Sequence, residues 1–240
     1  MNISVVFPCY NEENNIETTM GKALDALRQQ FEVFEILIVE DASADQSPQI
    51  CDKLAVLNPE IRVLHNPENL GQGASIVRGF REARHNLVLH DAMDYPFDLL
   101  DLPVMIPLLS EADIVVAARR SRAGYSQYRM LTSMVHRTLL HLLFPLKLTD
   151  YNFVQIYPRS VWESVKVEGH STAFLTPEAL IRAHDLGYRI REVEIEYHPR
   201  TAGEATSGSA KVIVASLRDM VRFWWKRLWH QTPRAAHTQQ

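Results

Sequence analysis

The fold is decided by residues 3–41, ISVVFPCYNEENNIETTMGKALDALRQQFEVFEILIVED. Two runs rich in valine and isoleucine, residues 3–7 and 34–40, flank a segment whose apolar side chains recur at helical spacing. Continuously apolar strands are typical of parallel sheets, in which helices cover both faces. The stretch is therefore predicted to form a strand–helix–strand unit, in which Asn14 or Asn15 is placed to cap the helix.

The same alternation continues to residue 118. Further strand candidates lie at residues 61–65, 86–90 and 112–118, and residues 73–85, GASIVRGFREARH, have a helical period. A series of this kind predicts an α/β fold, with an open, mostly parallel, doubly wound sheet and helices on both of its faces. Ligands of such sheets bind at the carboxyl ends of the strands.

Composition narrows the classes of function. The chain has 240 residues, of which 46% are hydrophobic, and a formal net charge of −4. One large core is expected, and nucleic acid is not expected as a partner, because domains that bind it are strongly basic. The two cysteines, Cys9 and Cys51, lack metal-ligand spacing, which disfavours a zinc site and fits a reducing cytoplasm. Neither a signal peptide nor an apolar run of about 18 residues is found, so membrane contact is expected to be peripheral.

The second half of the chain carries a local excess of positive charge. No acidic residue occurs between Asp113 and Asp150. The same interval contains Arg119, Arg120, Arg122, Arg129, Arg137 and Lys147. Structural surfaces usually mix charges of both signs, so the pattern indicates an anion-binding region, with a solvated face as the structural alternative. An apolar helix over residues 131–143, ending near Pro145, is predicted within this interval.

The C-terminal part is predicted to contain a helix over residues 176–188, ended at Gly187, and a half-exposed strand over residues 189–198. Residues 211–240 contain six cations against the single acid Asp219, together with a cluster of tryptophans. A helix of this composition suits a lipid interface, and it suits packing on the domain or on a second subunit equally. These patterns predict a domain over residues 1–210, an amphipathic helix over 211–230 and a disordered tail over 231–240.

Polar clusters follow four of the predicted strands, at residues 8–13, 40–45, 66–73 and 91–94. In a parallel sheet these clusters converge on one crevice, where their acids repel each other unless a cation lies between them. A magnesium or manganese ion bound to a diphosphate supplies that charge, because such ions take carboxylate and phosphate oxygens as ligands. The structural alternative is a strand-end turn, in which Asp94 caps the following helix.

Four segments resemble the family 2 glycosyltransferases of GT-A fold. They are FPCYNEENNI (7–16), IVEDASADQS (38–47), NLGQGASIVRGF (69–80) and LHDAMDYP (89–96). The likeness is closest to the polyprenyl-phosphate branch, which is similar to dolichyl-phosphate mannose synthase, and it extends over about residues 2–210. The segment LTDYNFVQIYPRSV (148–161) and the residues around 176–200 also resemble that branch.

The resemblance, together with the strand-end argument, implies roles for individual residues. Nucleotide-sugar binding is assigned to Pro8, Tyr10, Asn11, Glu12, Glu40, Asp41, Gly71, Gln72 and Asp91. Asp91 also matches the first acid of the family's metal motif, but the usual Asp-x-Asp is interrupted, because Met93 stands where the second acid is expected. Two hypotheses stay open: Asp94 reaches the ion from one position later, or Asp91 holds it with phosphates and water alone.

The implied activity is that of an inverting glycosyltransferase. It would move a hexose from a GDP- or UDP-sugar to a polyprenyl phosphate with Mg²⁺ or Mn²⁺, in the cytoplasm or at the cytoplasmic face of the membrane, through peripheral contact or a separate membrane partner. The candidates to hold the acceptor phosphate are Arg119, Arg129, Arg137 and Arg200. A hydroxyl acceptor would instead require a catalytic base, for which Asp150 and Glu178 are the candidates. A nucleotide-sugar-binding protein without catalysis is the alternative from another class.

Overall fold

The computed structural model describes residues 1–121, 125–168, 171–197 and 210–229. Within these ranges, seven strands form one sheet in the order β3-β2-β1-β4-β6-β5-β7. The strands are β1 (Ile3–Cys9), β2 (Phe34–Glu40), β3 (Ile61–His65), β4 (Leu87–His90), β5 (Ile114–Arg119), β6 (Gln155–Pro158) and β7 (Ile190–Ile195). The helices are α1 (Ile16–Gln30), α2 (Ser47–Leu57), α3 (Gln72–Glu82), α4 (Leu102–Met105), α5 (Gln127–Leu143), α6 (Arg159–Ser164), α7 (Thr172–Asp185) and α8 (Ala210–Trp229).

The predicted α/β class and the mostly parallel sheet are confirmed. β6 is antiparallel to both of its neighbours, β4 and β5, whereas the other adjacent strands pair in parallel. β6 is not predicted from the sequence, because a strand of four residues, QIYP, is too short to show a period. Its place between β4 and β5 follows from long-range pairing, with Val88 opposite Tyr157 and Val115 opposite Ile156.

Helices cover the sheet on both faces, so the core has two halves. Alternate residues of β1 serve each half: Val5 and Phe7 pack with α1 and α2, and Val6 packs with α3 and α7. All three side chains are fully buried. This double coverage explains why the strands read as continuously apolar.

A glycine sets the distance between α3 and the sheet. A Cβ atom on Gly79 would lie 2.3 Å from Cγ1 of Val6 and 3.1 Å from Cγ2 of Val39. No side chain fits in that space, so α3 lies closer to β1 and β2 than a helix with a side chain at this position would. The close approach places the N-terminus of α3 beside the carboxyl ends of these strands.

The structure gives the start of α7 and the packing of α8, two points that the sequence predicted wrongly or left open. α7 begins at Thr172 rather than at Thr176, and therefore contains Pro177 in its interior. One face of α8 packs on α7, with Met220 and Phe223 buried, so packing on the domain describes that face. Arg227 adds a bidentate pair with Asp185, at 2.6 and 2.8 Å. The proposed tail, residues 231–240, lies outside the described residues.

Most apolar side chains of α5 are exposed, whereas an apolar helix in a globular protein usually buries them. Leu140 is its one fully buried residue. The exposed apolar side chains of α5 are Tyr128, Met130, Leu131, Met134, Val135 and Leu142. On α8 the exposed ones are Val214, Val221, Trp225, Leu228 and Trp229. Across the part of the chain that the structure describes, no helix is both long enough and apolar enough to span a membrane.

Candidate active site

Three residues that are not glycine adopt left-handed backbone conformations at the carboxyl edge of the sheet. Asn11 (φ 54°) follows β1, Ala42 (φ 57°) follows β2 and Tyr95 (φ 49°) follows β4. Such conformations cost about 1–3 kcal/mol each and persist only where the surroundings enforce them, which happens most often at functional sites. The strain thus marks the edge that the strand-end clusters had indicated.

The loops after β1 and β2 hold each other in place. The Asn11 amide donates to Oγ of Ser43 at 3.0 Å, and Oδ1 of Asn11 accepts from the Ala44 amide at 2.9 Å. Nδ2 of Asn15 donates to Glu12 at 2.7 Å instead of capping α1, so the expected side-chain cap is absent there. Two side chains assigned to the nucleotide sugar flank this region: Tyr10 is exposed, and Pro8 in β1 is half-buried.

Asp41 is buried, and both of its carboxylate oxygens accept hydrogen bonds from the loop between β3 and α3. Its Oδ1 accepts from Nδ2 of Asn66 at 2.5 Å and from the Leu70 amide at 3.0 Å, and its Oδ2 accepts from the Gly71 amide at 2.8 Å. Asp41 therefore shapes this loop, so contact with a base or ribose would use only what acceptor capacity its oxygens have left. The neighbouring acid, Glu40, likewise accepts from the Ser43 amide at 2.6 Å.

The N-terminus of α3 opens toward the site. Gly71, its N-cap, has φ 87° and ψ 156°, a backbone region that is almost restricted to glycine. Glycine has no side chain that could cap α3. The first-turn amides have no intrahelical partners, as in every helix, and they carry the positive end of the helix dipole. The next residue, Gln72, lines the cavity described below. The arrangement suits an anionic group near Gln72.

Asp91 is buried with one of its carboxylate oxygens unsatisfied. Its amide donates to Val6 at 3.0 Å, and its Oδ1 accepts from the Ala92 amide at 2.9 Å. Its Oδ2 is buried and has no hydrogen-bond partner among the described residues. Burial raises the pKa of Asp91 well above the usual range, and the charges of Asp94 and Asp98 raise it further.

Asp94 is brought toward the same space by a turn. The Tyr95 amide donates to Ala92 at 2.9 Å, and the left-handed Tyr95 ends the turn. The capping role that the structural alternative gave to Asp94 is taken by Asp98, whose Oδ1 accepts from the Leu100 amide at 3.0 Å. The turn accommodates the residue that interrupts the usual Asp-x-Asp spacing.

These two acids fit a divalent cation. A buried carboxylate oxygen without a partner is costly, and a hard cation would satisfy it. Within the described ranges, no group of three or more His, Cys, Asp or Glu side chains is arranged around a common point. Magnesium usually takes only one or two carboxylates and completes its shell with substrate phosphates and water. Asp91 and Asp94 would hold the ion together with such ligands.

One cavity of about 430 Å³ joins these acids to the basic region. Gln72, Asp91 and Asp94 line it, and so do Arg119, Arg129 and Arg137. Apolar side chains of α5 and α8 line another part, namely Leu131, Val135, Val212, Ile213 and Leu217. Arg200 lies outside the described residues.

The three arginines differ in their partners. Arg119 donates through Nη1 to Asp150 at 2.8 Å and through Nη2 to the Asn152 carbonyl at 2.7 Å, while its buried Nε has no partner among the described residues. Arg137 donates to the Thr149 carbonyl at 3.3 Å. No described carboxylate lies within ion-pair distance of Arg129 or Arg137. Two cations in the cavity are thus without a countercharge from the described chain.

The two candidate bases are placed differently. Asp150 lines the cavity, but its Oδ2 accepts from Arg119 and its Oδ1 from the Asn152 amide at 3.1 Å. Glu178 is not brought to this cavity. It lines a separate one of about 230 Å³ between α7 and α8, where its Oε1 accepts from the Glu168 amide at 2.9 Å and from Nε of Arg182 at 2.8 Å. The spacing along α7, with Thr176 facing the main cavity, turns Glu178 away from it.

Several cavity residues were missed from sequence. Tyr197 follows the end of β7, and the parallel pairing of β7 with β5 brings it to the carboxyl edge. Burial raises the pKa of Tyr197, and the charge of Asp94 contributes to that rise. His136 contacts Oγ of Ser216 at 3.2 Å and so ties α5 to α8. His90 also lines the cavity; its buried Nδ1 has no described partner, and burial lowers its pKa to about 4.

Comparison with known proteins decides the family. The model of "Glycosyl transferase family 2" matches residues 4–164, which is more than half of the chain. The chain belongs to glycosyl transferase family 2. It is a glycosyltransferase of GT-A fold, as its resemblance to that family implied.

Two curated relatives and one solved structure illustrate the likeness. "Glycosyltransferase AglD" of Haloferax volcanii is 26% identical over 93% of this chain and 37% of its own length. "Undecaprenyl-phosphate mannosyltransferase" of Micrococcus luteus is 26% identical over 85% of this chain and 87% of its own length. Glucosyl-3-phosphoglycerate synthase of Mycobacterium tuberculosis, solved with Mn²⁺, UDP-glucose and phosphoglyceric acid, superimposes with a TM-score of 0.67 at 16% identity over 93% of this chain and 80% of its own. The chain spans less than two thirds of the length of several curated relatives that it matches.

Proposed function

We propose that this glycosyltransferase transfers a hexose, with inversion, from a nucleoside diphosphate sugar to a polyprenyl phosphate. One observation carries the proposal: a single cavity has Asp94 and Asp91, with the unpaired buried oxygen of Asp91, in one part, and Arg129 and Arg137, without described carboxylate partners, in another. The first suits a cation bound to a diphosphate, and the second suits another anion. Relatives whose names include undecaprenyl-phosphate support this class of acceptor.

The donor would lie along the carboxyl edge of the sheet. Tyr10 and Asn11 would contact the nucleoside, and Asp41 would hold the loop that presents Gly71 and Gln72 to the diphosphate. A magnesium or manganese ion held by Asp91 and Asp94 would offset the charge that grows on the departing diphosphate. The positive end of α3 would add to that stabilisation.

A phosphate acceptor needs no catalytic base, which agrees with the hydrogen bonds that both oxygens of Asp150 already accept. A phosphate monoester has a second pKa of about 6 and is largely dianionic at neutral pH, so it attacks the anomeric carbon without a strong base. Because both oxygens of Asp150 already accept hydrogen bonds, this carboxylate is better suited to hold Arg119 than to remove a proton. Arg129 and Arg137 would bind the phosphate oxygens.

The exposed apolar faces of α5 and α8 indicate where the lipid would approach. Their side chains continue the apolar lining of the cavity, from Leu131 and Val135 on α5 to Ile213 and Leu217 on α8. Exposed tryptophans and arginines on one helix are typical of helices that lie at a lipid interface. We propose that the enzyme contacts a membrane peripherally through this surface, at the cytoplasmic face.

The test is transfer itself. The purified protein is assayed with UDP- and GDP-hexoses and Mn²⁺, with a short polyprenyl phosphate in detergent as acceptor and the matching polyprenol and soluble sugars in parallel. We expect product from the phosphate alone, loss of product in Asp91→Ala, and a raised acceptor KM in Arg129→Gln. Arg120→Gln, an exposed arginine outside the cavity, is the matched control.

Each other outcome points elsewhere. Product from the polyprenol or from a soluble sugar, with none from the phosphate, would establish a hydroxyl acceptor. Nucleotide binding without transfer to any acceptor or to water would identify a binding protein. An Asp94→Ala variant with wild-type turnover would show that Asp91 holds the metal without Asp94.

A further inference from the structure

Two tyrosines that the donor chemistry does not use lie against the cavity arginines. The guanidinium carbon of Arg129 lies 3.9 Å from the ring centroid of Tyr125. That of Arg119 lies 5.5 Å from the ring of Tyr197 and 4.6 Å from the ring of Phe153. The two tyrosines contact each other edge to face, with centroids 5.6 Å apart and planes at 85°. Arg129, Tyr125, Tyr197 and Arg119 therefore form one continuous array.

The array joins elements that are distant in sequence. Tyr125 precedes α5, and Tyr197 follows β7, where it is buried. Phe153 meets Tyr197 edge to face at 6.0 Å, which anchors the array to the segment before β6. All five of these side chains line the same cavity. Phe97 packs behind Phe153, with ring centroids 5.9 Å apart.

An aromatic face can hold a guanidinium group in place and leave its N–H donors available for phosphate. A carboxylate partner would satisfy a guanidinium through its in-plane N–H groups, which are the groups that a phosphate needs. A ring attracts the cation electrostatically without accepting those hydrogen bonds in the plane. Arg129 therefore keeps its donors available. Nη1 and Nη2 of Arg119 each donate to one partner, Asp150 or Asn152, which leaves the second N–H of each nitrogen for a ligand.

We propose that Tyr125 and Tyr197 are positioning residues, which hold the guanidinium groups of Arg129 and Arg119 at the spacing that grips a phosphate monoester. This inference rests on the proposed function in one respect, that the acceptor presents a phosphate to this part of the cavity. The rings do the positioning, and the hydroxyl groups are not required for it. Selection of a phosphate over the corresponding alcohol is the consequence.

The experiment measures binding and turnover separately. Calorimetry gives the Kd of farnesyl phosphate, with farnesol as the control ligand, for wild type, Tyr125→Leu, Tyr125→Phe, Tyr197→Leu and Tyr197→Phe. We expect each leucine variant to weaken phosphate binding about tenfold, while each phenylalanine variant stays close to wild type. In turnover, the leucine variants should raise the acceptor KM more than they lower kcat, with the donor KM unchanged.

Controls separate positioning from folding. Tyr188→Leu removes a half-buried tyrosine that follows α7 and does not line the cavity, and it should leave the Kd unchanged. Tyr125 is only half-buried, so its leucine variant keeps the test valid if Tyr197→Leu folds poorly. Thermal melts and Kd values for UDP or GDP with Mn²⁺ report on the integrity of each variant.

The outcomes distinguish this inference from the proposed function. Leucine variants that bind farnesyl phosphate like wild type would overturn the positioning role, and so would phenylalanine variants that lose as much as leucine. Wild type that fails to bind any phosphate monoester overturns both proposals. Binding with the expected pattern, but no sugar transfer with any donor, would leave the array correct and the proposed function wrong.

Discussion

At the scale of single residues, Asp91 shows how function opposes stability. A carboxylate in a nearly dry site is disfavoured by desolvation, and here one of its oxygens has no described partner. Neighbouring acids add repulsion rather than relief. In the proposed function, a cation bound there during turnover would offset this cost, as at other sites where activity requires local destabilisation.

The first prediction concerns Asp91→Asn. A carboxyl group whose pKa is raised in the folded state binds protons more tightly there than in the unfolded chain, so wild-type stability falls as pH rises above about 4. The asparagine variant lacks that fall. We expect it to be more stable than wild type at pH 7.5 without metal, and inactive. Urea unfolding at pH 4.5 and 7.5 measures this, with Asp25→Asn, an exposed acid of α1, as control.

The second prediction concerns His65, which bridges two acids. Nδ1 lies 3.2 Å from Glu40 and Nε2 lies 2.9 Å from Asp52. Partial burial works to lower the pKa of His65, but the hydrogen bonds to Asp52 and Glu40 outweigh it and the pKa is raised. A raised folded pKa stabilises the protein fully below about pH 6.5, and this contribution is lost as pH rises through the folded value.

The measurement is the stability difference between wild type and His65→Gln. We expect a larger difference at pH 6 than at pH 8.5, from urea unfolding at both values. His85→Gln is the control, because no described carboxylate lies within ion-pair distance of His85. Equal differences at the two pH values would contradict the bridge.

At the scale of elements, the position of α3 depends on one missing side chain. Gly79 allows α3 to approach β1 closely, and Gly71 allows the backbone to turn into α3 where Asp41 receives its amide. The helix thereby presents its N-terminus and Gln72 to the candidate site. The packing of α3 on the sheet depends on Gly79, and the geometry of its N-terminus depends on Gly71.

The third prediction compares two glycine substitutions in helices. Gly79→Ala should lower the free energy of unfolding by about 1–3 kcal/mol, because its methyl group would overlap Val6. Gly21→Ala, in the exposed part of α1 with no atom within 4 Å of the added carbon, should raise it by about 0.5–1 kcal/mol. Chemical denaturation of both variants checks the opposite signs. Equal effects would mean that α3 shifts to accommodate the methyl group.

At the scale of the whole molecule, α5 and α8 leave an apolar surface beside the cavity instead of burying it. α8 is anchored to α7 through Phe223 and the pair of Arg227 with Asp185, so its outer face is held outward. That surface includes Trp225 and Trp229, which are 56% and 73% exposed. A monomer with this surface is expected to bind an apolar partner.

The fourth prediction follows for membrane binding. The double variant Trp225→Ser and Trp229→Ser should cosediment less with vesicles that contain anionic lipid, because interfacial binding scales with buried apolar area. The control replaces Val56 and Leu57, exposed apolar residues of α2, with serine. If both double variants bind vesicles as wild type does, the surface serves another partner.

The sequence by itself determined the class of sheet, most strand positions and the edge where the site lies, because strand burial and strand-end polarity are local patterns. It also pointed to Asp91 and to the basic interval, whose residues follow each other along the chain. The sequence did not indicate which acidic side chains form ion pairs with which basic ones. Charge and spacing do not reveal that Asp150 pairs with Arg119, or that Glu178 faces a different cavity.

Only the tertiary structure decided those pairings, together with the antiparallel β6 and the array of Tyr125 and Tyr197. Each depends on contacts between segments that are far apart in sequence and are brought together by the packing of the whole core. The buried, unpaired oxygen of Asp91 belongs to this group as well. The pKa of Asp91 is raised by burial and by neighbouring acids, and these surroundings form only when the chain has folded.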